Sequence, residues 1–246
     1  MKGETNLPQR RTAKETLREK GQFWTPEWVA NAMVGYVLIK GIDNIFDPAV
    51  GTGAFFKAAK VIGQRIGRSV KLAGTERYPE VLHEAHKNGL SDNEIVNVSI
   101  TDFILSPPPG PFAGIVANPP YIRHHRIPSK VKSFLKNLAF SVIGRPLDGR
   151  AGLHIFFLIR ALERLAPGGR LAFIMPADTV EGVFAPVLWQ WISSHFRLDS
   201  VVIFDPQATP FPDVDTNPIV LMLERSEPKR TFLWVQCHER GEAFLD

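Results

Sequence analysis

The apolar pair Ile45-Phe46 runs directly into Asp47-Pro48-Ala49-Val50-Gly51-Thr52-Gly53, and a segment with helical spacing opens at Ala54. A buried strand, a sharp glycine turn and a helix, in that order, leave few folds open. Glycines remove side chains where the backbone must turn tightly or approach a ligand. An acid, Glu76, closes the next apolar run 25 positions after Gly51. Each part alone is common in turns, but strand, glycine loop, helix, strand and acid together point to a binding loop.

The rest of the chain repeats the alternation. Strands are expected near Ile42–Phe46, Lys71–Thr75, Glu94–Asn97, Gly114–Ala117, Leu171–Met175, Ser200–Phe204 and Ile219–Leu223. Helices are expected over Glu27–Val37, Ala54–Gly63, Pro79–Asn88, Leu153–Leu165 and Val183–His195, the fourth stopped by Pro167-Gly168-Gly169. Strands separated by helices imply an α/β domain with a mostly parallel sheet and helices on both faces. In such Rossmann-like sheets an acid at the end of the second strand holds a ribose through its two hydroxyls. Phe56 stands where a third glycine would complete the dinucleotide signature, which favours a nucleoside cofactor without a pyrophosphate over NAD.

Composition sets the limits. The 246 residues are 44% hydrophobic and 22% charged, enough for one large core, with a small appendage at most. The most apolar run, Ile155–Ile159, stops at Arg160, far short of the roughly 18 apolar residues of a membrane span. The N-terminus stays polar through Gln22, which argues against a signal peptide. One cysteine, Cys237, allows neither an internal disulfide nor a zinc cluster, so no metal site and a cytoplasmic location are expected. Net charge is +4, and it is concentrated. Residues 121–150 hold seven Lys or Arg against one acid, Asp148, so that segment carries +6 and the remainder −2. A solvated loop and a phosphate-facing surface both fit such a run.

Asn118-Pro119-Pro120-Tyr121 follows the apolar run Ile115-Val116-Ala117, at the strand end where open α/β sheets bind ligands. Two prolines stiffen the turn, so the Asn118 amide and the Pro119 carbonyl can be held as two acceptors for one amino group. Tyr121 offers a flat face to a planar ring.

Taken together, Asp47–Phe56, Glu76, Asp102-Phe103 and Asn118–Tyr121 resemble the motifs of S-adenosylmethionine-dependent amino-methyltransferases, most closely the adenine-N6 DNA methyltransferases. Phe23-Trp24-Thr25-Pro26 is similar to that family's extra cofactor motif, and its N-terminal position matches the gamma group, the TaqI-like enzymes. Ile174-Met175-Pro176-Ala177 and Pro210-Phe211-Pro212 match as well. The resemblance covers roughly residues 22–224. It implies a Rossmann-like class I methyltransferase with a seven-stranded, mostly parallel sheet and an antiparallel last strand. It also implies a division into a basic N-terminal extension (1–21), a methyltransferase domain (22–228) and a C-terminal strand or linker (229–246), with no recognition domain.

The same resemblance implies roles. Asp47, Gly51 and Gly53 would border the methionine part of S-adenosylmethionine, with Thr25 near its carboxylate. Glu76 would hold the ribose, and Asp102 and Phe103 the cofactor adenine. Asn118 and Pro119 would grip the amino group of a target adenine flipped out of double-stranded DNA, with Tyr121 and Phe211 on its two faces. Arg123, Arg126 and Lys130 then fall beside the base pocket, which favours phosphate contacts. Where the gamma group commonly has Asp-Leu-Tyr, this chain has Gly152-Leu153-His154, and no role is expected of His154. His83 and His86 read as a solvated helix face, Cys237-His238 as inert, and Trp189 and Trp191 as core or helix-surface aromatics. Two rivals stand beside adenine-N6 methylation within a restriction-modification system: a methyltransferase of the same fold acting on ribosomal RNA or protein glutamine, and a non-catalytic DNA-binding subunit. A separate target-recognition domain or subunit is the expected partner.

Overall fold

The computed structural model describes residues 24–212 and 217–241. Phe23 and the basic extension expected over 1–21 lie outside the described residues.

An eight-stranded sheet organises the chain in the order β3-β2-β1-β4-β5-β7-β6-β8. Its strands are β1 (Asn44–Asp47), β2 (Lys71–Glu76), β3 (Val98–Ile100), β4 (Phe112–Ala117), β5 (Leu165–Pro176), β6 (Arg197–Phe204), β7 (Pro218–Glu224) and β8 (Leu233–Cys237). Among the described residues only β7 runs antiparallel, pairing Leu221 with Phe173 of β5 and Val220 with Val202 of β6. The chain leaves β1 outward to β2 and β3, then returns to β4 on the other side of β1. The carboxyl ends of β1 and β4 therefore flank the switch point, where such sheets form a crevice.

Helix α1 (Glu27–Leu38) precedes β1, and α2 (Ala54–Arg65), α3 (Pro79–Lys87), α4 (Asp92–Ile95), α5 (Ser129–Ile143), α6 (Leu153–Arg164) and α7 (Ala185–His195) connect the strands. Side chains alternate across the pleat, so each strand feeds two cores. On one face Ile45, Val116, Ala172 and Ile174 pack against Met33, Val37 and Phe55 of α1 and α2. On the other, Ile115, Leu171 and Phe173 pack against Leu135, Ile155, Leu158 and Leu188 of α5, α6 and α7.

Three expectations need correction. The sheet has eight strands rather than seven, because β8 adds parallel to β6, with Val235 opposite Val202. The strand expected at Glu94–Asn97 is displaced. Ser91 and Glu94 form a capping box that starts α4, and the strand begins only at Val98. The cationic stretch is not a loop throughout, since 15 of its residues form α5, with Leu135, Leu138 and Ala139 buried beneath the charges.

Candidate active site

The glycine loop is fastened to the end of β2. Asp47 Oδ1 accepts the Ala49 N–H at 2.9 Å, and the buried Thr75 hydroxyl donates to the Pro48 carbonyl at 2.7 Å. Val50 N–H donates to the Thr75 carbonyl at 3.0 Å. So close an approach needs Gly74, where a Cβ would come within 2.6 Å of the Asp47 carbonyl oxygen. Gly53 serves the same packing: it caps α2 in the left-handed region (φ +81°), and a Cβ there would meet Leu90 at 2.3 Å. Pro48, Ala49, Val50, Gly51 and Thr52 line the adjoining cavity, and Gly53 stands just behind them.

Glu76 is almost fully buried at the end of β2. Its carboxylate accepts from the Gly51, Arg77 and Tyr78 amides at 3.0, 2.9 and 2.9 Å. Asp47 is wholly buried, and burial, with Glu76 nearby, pushes its carboxyl up to about 8 despite the Ala49 hydrogen bond.

A cavity of about 210 Å³ opens over these strand ends. Thr25, Gly51, Glu76, Asp102, Phe103 and Asn118, which lie far apart in sequence, share its wall. Asp102 Oδ1 accepts the Ile104 and Leu105 amides, and its Oδ2 lies 3.3 Å from an Arg77 guanidinium nitrogen. Arg77 therefore shares the carboxylate expected to meet the cofactor adenine. Phe103 is packed into the core against Phe46 and Phe157, at 5.8 and 5.7 Å between centroids. Reading the motifs alone missed the apolar wall made by Ile127, Val131, Leu135, Leu153 and Phe157. The helical spacing of Val131, Leu135 and Leu138 was the available signal.

Asn118 follows β4 directly and is half-buried, and its Nδ2 donates to Thr25 Oγ1 at 3.1 Å. Pro119 is buried. The loop is tied to α6 by the Leu153 amide, which donates to the Ile122 carbonyl at 2.9 Å. Tyr121 and Phe211 come together at 6.5 Å between centroids but at 78°, edge to face. A base held between two ring faces requires one ring to turn. Burial raises the Tyr121 phenol pKa.

His154, expected to be idle, is buried against this group. Its ring meets Tyr121 edge-on at 5.9 Å, and its Nε2 lies 3.1 Å from the buried Thr179 hydroxyl. Burial lowers its pKa to about 4, so it is neutral at physiological pH. Arg123, Arg126 and Lys130 are all exposed. Arg126 also rims the cavity, and the field of Arg123 is shared with Asp178, whose carboxyl it partly stabilises against burial.

Among the described residues no cluster of three or more metal-ligating side chains occurs, and no helix is long and apolar enough to cross a membrane.

Comparisons with known proteins point to methyltransferases. Over 209 residues the chain is 25% identical to the type II methyltransferase M.AccI of Acinetobacter calcoaceticus, covering 85% of this chain and 37% of that protein. Over 129 residues it is 35% identical to the type II methyltransferase M.XhoI of Xanthomonas vasicola, covering 52% of this chain and 22% of that protein. The chain thus spans well under half the length of these relatives. The fold matches the methyltransferase subunit of a type I restriction-modification system from Streptococcus thermophilus with a TM-score of 0.71 at 20% identity, over 90% of this chain and half of that one. A class I S-adenosylmethionine-dependent methyltransferase from Listeria monocytogenes, itself assigned tentatively, superposes with a TM-score of 0.68 at 16% identity, over 87% of this chain and 65% of that one. The family model for N-6 DNA methylases matches residues 9–184, more than two thirds of the sequence, and on that match the chain belongs to the N-6 DNA methylase family.

Proposed function

We propose that this chain carries the methyl-transfer step of an adenine-N6 DNA methyltransferase in a restriction-modification system, acting on double-stranded DNA. The observation that carries the reading is that Asn118 lies on the wall of the same cavity as Glu76 and Asp102. An acceptor for the target amine and acceptors suited to a nucleoside cofactor thereby face one space.

The donor set fits S-adenosylmethionine. Glu76 offers carboxylate oxygens to ribose hydroxyls, Asp102 and Phe103 bound the adenine end, and Gly51 with Thr25 bounds the methionine end beside the buried Asp47. When bound, that cofactor supplies an electrophilic methyl group. The chain's part is orientation and electrostatics. The adenine amino group is a poor nucleophile because its lone pair is delocalised into the ring. Acceptors at Asn118 and Pro119 favour a pyramidal nitrogen and stabilise the charge it develops. A paired base hides this amine, so the nucleotide must swing out, at a cost of a few kcal/mol. Stacking on Tyr121 and Phe211 returns roughly 1–3 kcal/mol per base. Arg123, Arg126 and Lys130 supply phosphate contacts. Such contacts carry no sequence code, so recognition is assigned to a separate domain or subunit. The methyltransferase domain is assigned to residues 22–228, with β8 from the C-terminal segment adding a strand to its sheet.

The test is transfer of a tritiated methyl group to unmethylated DNA, with the product nucleoside identified by mass spectrometry. N6-methyladenine is expected. Asn118→Ala should lose transfer by several orders of magnitude while binding S-adenosylmethionine nearly normally by calorimetry. Label found in RNA or protein instead of DNA would sink the assignment.

A further inference from the structure

We propose that Thr25 is a positioning residue for Asn118: its hydroxyl fixes which end of the Asn118 amide meets the target amine. The inference rests on the proposed transfer reaction and goes beyond it in giving Thr25 a task other than holding the cofactor.

An asparagine amide has two orientations of nearly equal shape, related by a half-turn of the amide plane. One aims the oxygen at the substrate amine and accepts its hydrogen. The other aims an NH2 group, so that two donors confront each other and the amine cannot be held. Shape does not choose between them, and a neighbouring hydrogen-bond partner must.

Thr25 supplies that partner. Its Oγ1 lies 3.1 Å from Asn118 Nδ2, across 93 residues of sequence. With the nitrogen end held there, the oxygen end points away from Thr25. The anchor is stiff: Pro26 restricts the backbone next to Thr25, and the Pro26 carbonyl accepts the Ala30 N–H at 3.0 Å as α1 begins. Trp24, on its other side, lies over the glycine loop, within 3.4 Å of where a Cβ on Gly51 would stand. Asn118 is equally constrained, between the end of β4 and Pro119.

Thr25 and Asn118 also line the same cavity. A hydroxyl has one proton. If that proton is donated to an acceptor in the cavity, the oxygen can only accept from Asn118. If it is not, the hydroxyl can rotate and donate, and it no longer opposes the reversed amide. A cavity ligand that accepts the Thr25 proton therefore strengthens this selection before the base arrives.

The experiment compares Thr25→Val, which keeps the shape and removes the hydroxyl, with Thr25→Ser, which keeps the hydroxyl. Cofactor affinity is measured by calorimetry. The single-turnover transfer rate is then taken on unmethylated DNA with S-adenosylmethionine saturating for each variant. Thr25→Val should lower that saturated rate by about 10- to 100-fold, the scale on which small misplacements act. Thr25→Ser should restore it to within about threefold, which a loss of packing alone would not allow. Thr25→Ala, with folding checked by thermal melting, should match the valine variant. A saturated rate unchanged in Thr25→Val, even with weaker cofactor binding, would overturn the inference, as would an equal loss in Thr25→Ser. Failure of the unsubstituted chain to transfer methyl groups is a different result, and it strikes the proposed reaction itself.

Discussion

The Gly51 amide donates to Oε2 of Glu76 at 3.0 Å, so the turn that shapes the cavity is held by the same acid that we propose binds the ribose. Glu76→Gln strikes both roles. The carboxylate receives three backbone N–H groups on its two oxygens, and a carboxamide has only one oxygen to offer. At least one donor is then left unpaired, at a cost of about 1–3 kcal/mol. The variant should melt earlier even without cofactor, and calorimetry should show weaker S-adenosylmethionine binding. An unchanged melting curve would show that Glu76 is not part of the loop's scaffold.

Two buried groups give opposite pH dependences. Asp47 titrates near 8 when folded and near 4 when unfolded, so its contribution is greatest at low pH and is lost as pH rises through that window. His154 titrates near 4 when folded and about 6.5 when unfolded, so its contribution is present above pH 6.5 and is lost as pH falls toward 4. Between those limits the two slopes oppose, and above about pH 6.5 Asp47 acts alone. Denaturant unfolding should show the cofactor-free chain losing stability from pH 6.5 to 8, at up to about 1.4 kcal/mol per unit from this group. Asp47→Asn should flatten the loss, and a slope unaltered in that variant would exclude Asp47 as its source.

At the opposite end of the sheet, the buried Arg170 guanidinium donates to the Tyr36 carbonyl at 2.7 Å and to Glu224 at 3.2 Å, and it lies over the Tyr36 ring. Arg170→Ala should cost about 3–5 kcal/mol in urea unfolding, the range for breaking a buried pair. Transfer per folded molecule should not change, because the cluster is remote from Asn118. A loss below about 1 kcal/mol would mean that Arg197 and Lys40, which also pair with Glu224, compensate for it.

Phosphate contacts have a salt signature. The isolated chain should bind DNA only in the micromolar range or weaker at physiological salt, with a steep dependence on ionic strength. Arg123→Ala with Arg126→Ala should flatten the slope of log K against log salt by up to about two units, and by less if Asp178 already neutralises Arg123. Nanomolar, sequence-selective binding would show instead that residues 121–150 read bases.

The strand ends were legible because local chemistry marks them: Asp47–Gly53, Glu76 and Asn118–Tyr121 each punctuate an apolar run. Helix α5 was obscured by its own lysines, which drew attention to charge while Val131, Leu135 and Leu138 kept helical time underneath. The strand misplaced onto Glu94 had its warning in Ser91, a start signal that competes with β-propensity. The Thr25–Asn118 and His154–Thr179 contacts had no such marks. They join residues 93 and 25 positions apart and exist only once the sheet has brought their loops to one edge.

Helix α5 has one more consequence. Val131 and Leu135 form part of the cavity wall, while Lys130 and the half-exposed ring of Phe140 face solvent on the same two-sided rod. Whatever grips the outside of that rod also leans on the wall of the room within. If a partner on the outer surface displaces the helix, the wall is displaced with it, and any change this makes in the cavity's affinity is matched by an equal factor in the partner's own.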